Sequence, residues 1–337
     1  MRAIIMDAPG QVRVGDWEDR RPGPGEVLVA SRAVGVCAGD LYIYQGKNPY
    51  VRFPQVAGHE IAGVVEEVGP GVSGLAPGTK VVVEPFLGCG QCYPCRVGKS
   101  NCCANLRIIG VTQPGGFGER VLAPAEKIHR VPESLSLADA SFVEPVAIGV
   151  QACRRGAIAA GEYVLVLGCG PIGLAVIEVA RARGARVVAT DVALARMETA
   201  AKLGAEVLPS GDALLPKVLE QTRGEGAPVV VEATGNVKAM ESTVDLVASG
   251  GRIVILGLLK KGTPVTFPGL DFTRKEMTVV GSRASVNCFP ESLKLLASGA
   301  VHYPRVKSEF DMWDGPEIIK DLAQNPGKLH KAVLVRG

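Results

Sequence analysis

Cys89, Cys92 and Cys95 recur at every third position, and Cys103 follows shortly after. Four thiolates in so short a loop can close a tetrahedral shell around zinc with no open position, so a structural metal is expected there. An iron–sulfur cluster also takes four cysteines, but nothing else in the chain suggests electron transfer. Cys102 sits beside Cys103, and the spacing alone lets it compete for the fourth place. A second stretch with chemistry in it is Gly168-Cys169-Gly170-Pro171-Ile172-Gly173, which follows the apolar run Val164-Leu165-Val166-Leu167 and precedes an amphipathic segment ending near Gly184. Read as strand, turn and helix, one glycine makes the turn, one admits a pyrophosphate, and one lets the helix lie close on its strand. The helix N-terminus then offers free N–H groups to phosphate. The next apolar run, Arg186 to Thr190, ends at Asp191, about where a carboxylate accepts both ribose hydroxyls and repels a 2′-phosphate. NAD is therefore the expected ligand. A methyltransferase or a bare packing turn can show the same glycines; the order of strand, helix, second strand and acid favours the dinucleotide. Arg196 would lie over the adenine or be a solvated helix residue.

Further ligand-type residues stand far apart: Cys37, His59 with Glu60, and Glu144. Singly, Cys37 reads as a small buried hydrophobe and His59 as a core histidine satisfied by one hydrogen bond.

The elements that must position these groups fall into two textures. Up to about residue 145, short strand-type runs such as Glu26–Ala30, Ile61–Val68 and Lys80–Val83 alternate with turns such as Pro22-Gly23-Pro24-Gly25 and Pro77-Gly78, the pattern of an all-β, barrel-like domain. From about 147 to 283, apolar strands at Val164–Leu167, Arg186–Thr190, Pro228–Glu232, Arg252–Leu256 and Met277–Val280 alternate with helical stretches, which implies a parallel sheet with helices on both faces. Helix-like segments at Pro290–Ser298 and Pro316–Ala323 and a closing strand at Lys331–Val335 complete the chain. A lone strand needs a sheet to join, so the tail is expected back in the first domain.

The chain has 337 residues, 47% of them apolar and 21% charged, as in ordinary globular proteins with room for two cores. Lys plus Arg number 37 against 34 acids, so no basic field invites nucleic acid or an anionic membrane. A zinc-ribbon nucleic-acid binder is disfavoured on that ground. The longest apolar region, Tyr163 to Ile177, is shorter than a membrane span and interrupted by glycines and a proline. Nine cysteines, an odd number, behind an opening that lacks a leader pattern argue against a disulfide framework and for a cytoplasmic location.

Taken together, the chain resembles the zinc-dependent medium-chain dehydrogenase/reductase family over essentially its whole length. Gly58-His59-Glu60-x-x-Gly63, with Gly69 and Val72 following, is similar to that family's zinc signature; the four cysteines resemble its structural lobe, and Gly168 to Gly173 its coenzyme turn. The resemblance implies a GroES-like catalytic domain over residues 1–146 and 284–337, with the zinc lobe at about 86–105. A doubly wound Rossmann domain would be inserted at 147–283. It implies two zinc ions per chain: a structural one on Cys89, Cys92, Cys95 and Cys103, and a catalytic one on Cys37, His59 and a glutamate, either Glu60 or Glu144. Asp40 would orient that site, and Thr234, Leu256 and Gly257, at the ends of later strands, would help Gly168, Gly170, Pro171, Ile172 and Gly173 hold NAD.

The expected reaction is transfer of hydride from a secondary alcohol to NAD. Glu144 stands where polyol dehydrogenases of the family carry glutamate, while Gly281-Ser282-Arg283 and Gly115 to Glu119 look most like members acting on sugar acids such as galactonate. A simple alcohol or threonine dehydrogenase is the alternative within the family. One departure stands out. Where such families carry a Ser or Thr that passes the alcohol proton on, often towards a histidine three places later, this chain has Gly39 and Tyr42. Tyr42 is then a substrate contact or a core aromatic, and Arg283 a carboxylate-binding fork or a salt bridge at a subunit contact. Relatives assemble as homodimers or homotetramers.

Overall fold

The strand Tyr163–Leu167 is buried at every position and lies inside a six-stranded sheet in which all pairs are parallel. Such a strand must be apolar on both faces, which is why Val164 to Leu167 shows no alternation. Across the sheet the strands run Glu206–Val207, Arg186–Thr190, Tyr163–Leu167, Ala227–Glu232, Val247–Ile255 and Thr278–Gly281. In chain order that is third, second, first, fourth, fifth, sixth, the doubly wound arrangement of a Rossmann sheet. The order reverses between Tyr163–Leu167 and Ala227–Glu232, so a ligand crevice is expected beyond the carboxyl ends of those two strands. Gly168 and Ala233-Thr234 follow them there. The fifth strand begins earlier than its apolar run, because Ser249-Gly250-Gly251 is carried as an irregularity: Ala227 pairs with Val247, but Val229 already pairs with Arg252.

The computed structural model describes residues 1–325 and 327–337. Its contacts divide the chain into one unit of Met1–Glu144, Phe289–Ser298 and Pro304–Gly337, and another of Pro145–Cys288 and Gly299–Tyr303. The first unit is built on a seven-stranded sheet. Its central strand, Glu26–Val36, pairs antiparallel with Glu60–Val68 on one side. On the other side it meets Arg120–Pro124 along its first half and the closing strand Lys331–Val335 along its second. Antiparallel pairing around an apolar interior gives this GroES-like unit a core that includes Ile4, Val29, Val34, Ile61, Val81 and Phe117. A short ladder, Phe86–Leu87 against Arg107–Ile108, closes the base of the cysteine lobe. No helix among the described residues is long and apolar enough to cross a membrane.

Candidate functional site

Cys37 follows the central strand and caps the short helix Ala38–Tyr44, while His59 directly precedes the neighbouring strand, which Glu60 begins. Sheet pairing therefore brings residues distant in sequence together: Gly35 lies opposite Glu60. Ligand atoms of Cys37, His59 and Glu60 all fall within 4.8 Å of one another. Asp40, fully buried, ties the two segments: its Oδ2 accepts the Cys37 amide at 2.8 Å and its Oδ1 the Gly58 amide at 3.1 Å. Oδ1 also stands 3.5 Å from His59 Nδ1, which has no hydrogen-bond partner, so Asp40 acts on the ring through its charge. Burial alone would push the imidazole down, but the charges of Asp40 and Cys37 outweigh it and hold His59 well above the ordinary histidine value.

Glu144 enters from the first turn of the helix Val143–Arg155 and is buried. Burial raises its carboxyl to about 7; His59 and Lys331 oppose the rise and Glu60 adds to it. It lies outside the converging set of Cys37, His59 and Glu60.

Sequence spacing does not single out Lys331, yet its ammonium is buried and paired with Glu60 Oε1. Burial would lower the lysine, but Glu60, then Cys37 and Glu144, hold it above its ordinary value. The other oxygen, Glu60 Oε2, is buried with no hydrogen-bond partner. Thiolate, imidazole and a carboxylate oxygen at the separation of Cys37, His59 and Glu60 form a donor set suited to zinc, so the residues fit the metal the sequence implies.

The second cluster is local. Sulfurs of Cys92 and Cys95 are 3.5 Å apart and those of Cys92 and Cys103 3.7 Å, and all four ligand atoms, with Cys89, lie within 4.8 Å. Bonds of about 2.3 Å to one tetrahedral ion require sulfur separations of about 3.8 Å, which leaves no room for a cluster of several irons. Backbone amides converge here too: Cys89 and Asn105 donate to the Cys103 sulfur and Cys92 to that of Cys89. The amides of Ala104 and Cys95 pull the Cys92 thiol down to about 6, while burial pushes Cys95 up to about 11. Cys103 is buried and inside the set, whereas Cys102 is exposed and outside it. Geometry thus decides between neighbours that spacing left equal.

In the other unit, Gly168 takes a positive φ of 100° and Gly170 caps the helix Pro171–Ala182, with Pro171 in its first turn. A side chain at Gly173 would overlap the Gly168 carbonyl, so the helix reaches its strand only because that residue is glycine. Asp191 is held by the amides of Cys169 at 2.8 Å and Ala193 at 2.9 Å, with Arg196 3.9 Å away. Gly168, Gly170, Asp191, Arg196 and Thr234 line one cavity of about 860 Å³. Pro171, Ile172, Gly173, Leu256 and Gly257 do not line it; Leu256 and Gly257 instead donate their amides to the Glu232 carbonyl. Tyr42 is exposed on its helix, and Arg283 is exposed beyond the strand Thr278–Gly281.

Comparison with known proteins places the chain in a family. Residues 23–133 match the alcohol dehydrogenase GroES-like domain and residues 171–298 the zinc-binding dehydrogenase domain. L-galactonate-5-dehydrogenase of Escherichia coli K12 is 38% identical, covering 89% of this chain and 88% of its own. L-threonine 3-dehydrogenase of Pyrococcus horikoshii is 36% identical over 99% and 98%. Among solved structures, the RspB alcohol dehydrogenase of Escherichia coli CFT073 in complex with NADH superposes with a TM-score of 0.93 at 29% identity, covering 100% of this chain and 99% of that one. The chain belongs to the zinc-binding alcohol dehydrogenase family, the zinc-type branch of the medium-chain dehydrogenases. It is an oxidoreductase acting on an alcohol.

Proposed function

We propose that this enzyme oxidises a secondary alcohol of a polyol, sugar or sugar acid to the ketone, with NAD as acceptor and two zinc ions per chain. The observation that carries the reading is the convergence of half-buried Cys37 and His59 with buried Glu60. When bound there, zinc supplies Lewis acidity to an alcohol oxygen, and nicotinamide supplies the acceptor for its hydride. The chain's own residues do the rest. Asp40 fixes Cys37 and His59 relative to each other, so the pocket needs little rearrangement before reaction. Gly39 provides no hydroxyl: the direction its Cβ would take passes 3.5 Å from His59 Cε1 and 3.9 Å from Cys37 Sγ. That space is left to substrate or water, in keeping with a bulkier, more polar alcohol than a simple alkanol.

Asp191, anchored at both oxygens and lining the cavity, favours ribose hydroxyls and repels a 2′-phosphate, which supports NAD over NADP. The sugar-acid leaning rests on the resemblance of Gly281-Ser282-Arg283 and on the galactonate dehydrogenase among the relatives. The threonine dehydrogenase of similar length and identity supports a second reading, an amino-alcohol substrate. A panel of aldonates, neutral polyols and L-threonine, followed by NADH absorbance together with metal analysis, separates the two. With an aldonate substrate, Arg283→Ala should raise KM for the acid far more than for a neutral polyol, because its planar fork suits a carboxylate. Equal effects on both substrates would remove the sugar-acid assignment.

A further inference from the structure

The fourth strand of the parallel sheet ends on Glu232, which is fully buried. One carboxylate oxygen, Oε1, accepts the amides of Thr234 at 2.7 Å and Gly235 at 3.0 Å, and the Thr234 hydroxyl as well. The Glu232 carbonyl accepts the amides of Leu256 at 2.9 Å and Gly257 at 3.1 Å. Thr234 in turn lies against the coenzyme turn: a side chain at Gly168 would come within 2.9 Å of its methyl carbon. A single residue thus ties together the ends of three neighbouring strands, those followed by Gly168, Thr234 and Leu256, at the place where the strand order reverses. The other oxygen, Oε2, is buried with no hydrogen-bond partner. It lies against Gly257, where a side chain would overlap both this oxygen and the Gly235 amide. An ionised carboxylate only accepts, whereas a protonated one needs an acceptor for its hydrogen. Three donors on Oε1 and no acceptor at Oε2 form the pattern of the ionised group, favoured further by the positive end of the helix Val237–Leu246, which begins just after the turn. A buried charge with an idle oxygen costs desolvation that a neutral side chain would avoid, so its presence calls for a use beyond closing a turn.

We infer that Glu232 is a positioning residue for the dinucleotide, and that its charge biases the site towards the oxidised form. By fixing Thr234 and Gly235 beside Gly168, it sets the floor of the crevice before any coenzyme arrives. Its charge sits at the switch point of the sheet, where a dinucleotide crosses from one half to the other. NAD+ and NADH carry the same phosphates and differ by one positive charge on the nicotinamide ring, so a fixed negative charge beneath them favours the oxidised coenzyme. The inference rests on the reading of the cavity lined by Gly168, Asp191 and Thr234 as the NAD site.

The test is equilibrium binding of NAD+, NADH and ADP-ribose to the full-length, zinc-loaded enzyme, measured by calorimetry and NADH fluorescence. Parent protein that binds neither NAD+ nor NADH would remove the dinucleotide reading itself. Glu232→Gln keeps a carbonyl oxygen for Thr234 and Gly235 but loses the charge. It should hold ADP-ribose within about twofold of the parent and shift the ratio of NADH to NAD+ affinity towards NADH by about threefold or more. A merely structural role would move all three ligands together. An unchanged ratio in the folded variant would overturn the inference while leaving the NAD site standing. Glu232→Asp keeps the charge on a shorter arm, so all three ligands should weaken by about threefold or more, as lost hydrogen bonds in the turn imply, with the ratio at its parental value. Unchanged affinities, or a shifted ratio, would equally overturn the inference, and this second comparison stands should Glu232→Gln fail to fold.

Discussion

The two ligand clusters solve opposite problems. The lobe draws Cys89, Cys92, Cys95 and Cys103 from one loop, uses a single residue type, and sits largely at the surface. The pocket at Cys37 takes a thiolate, an imidazole and a carboxylate from two paired strands, and surrounds them with the buried charges of Asp40, Glu144 and Lys331. A shell of four thiolates is complete in itself and can only brace its loop. A mixed set enclosed by charged residues has properties that its neighbours adjust. The difference teaches that binding chemistry can be local in sequence, whereas tuning of that chemistry depends on sheet register.

The sharpest way to break the comparison is to remove one sulfur from each cluster. Cys37→Ser should lower kcat/KM by about a thousandfold or more, as loss of a metal held for Lewis acidity implies, with little change in melting temperature. Cys92→Ser should instead lower the melting temperature by roughly 10 °C, the loss of several kcal/mol of metal-linked folding energy, and reduce activity only through lost folded protein. Steady-state kinetics beside calorimetry checks both, and identical patterns would erase the division between tuned and bracing sites.

Much of this division was legible beforehand. The lobe follows from spacing, since its ligands are neighbours along the chain. The Rossmann unit follows from strand alternation and from glycines whose roles are steric, such as Gly173 against the Gly168 carbonyl. Cys37 and His59 stood out only by resemblance to a family, because taken singly each suits an ordinary core. Lys331 could not be found that way. Its run, Lys-Ala-Val-Leu-Val, reads only as a closing strand in need of a sheet, and it is the pairing of Val333 with Gly35 and of Gly35 with Glu60 that carries its ammonium inward. Similarly, Cys102 and Cys103 are alike in sequence and are told apart by the turn that buries one of them.

A milder test sharpens the role of charge at the pocket. Asp40→Asn keeps an oxygen for the Cys37 or Gly58 amide but removes the charge beside His59, and should lower kcat/KM by about 10- to 100-fold, the usual cost of losing a group that orients a metal ligand. An unchanged kcat/KM would reduce Asp40 to a helix cap.

The smallest effect belongs to a buried charge that is part of neither cluster. Glu84 is desolvated, which alone would raise its carboxyl, but His129 at 3.0 Å and Lys127 at 2.9 Å bring it below the ordinary glutamate value. Its folded pKa is therefore the lower one. The stability it contributes is present above the unfolded value of about 4.5 and lost as pH falls through the folded one. Glu84→Gln should flatten the acid limb of a melting-temperature profile and leave activity at neutral pH unchanged. An unaltered acid limb would show that the pair adds nothing to stability.

Strand order also sets a timetable for synthesis. The four cysteines of the lobe leave the ribosome almost together and can be metallated while most of the chain is still untranslated. Glu60 emerges early as well, but its lysine is made near the end of translation and reaches it only once the closing strand has docked beside the central one. Until then the carboxylate of Glu60 stays in water, and the ion pair is buried only as the last strand closes the sheet.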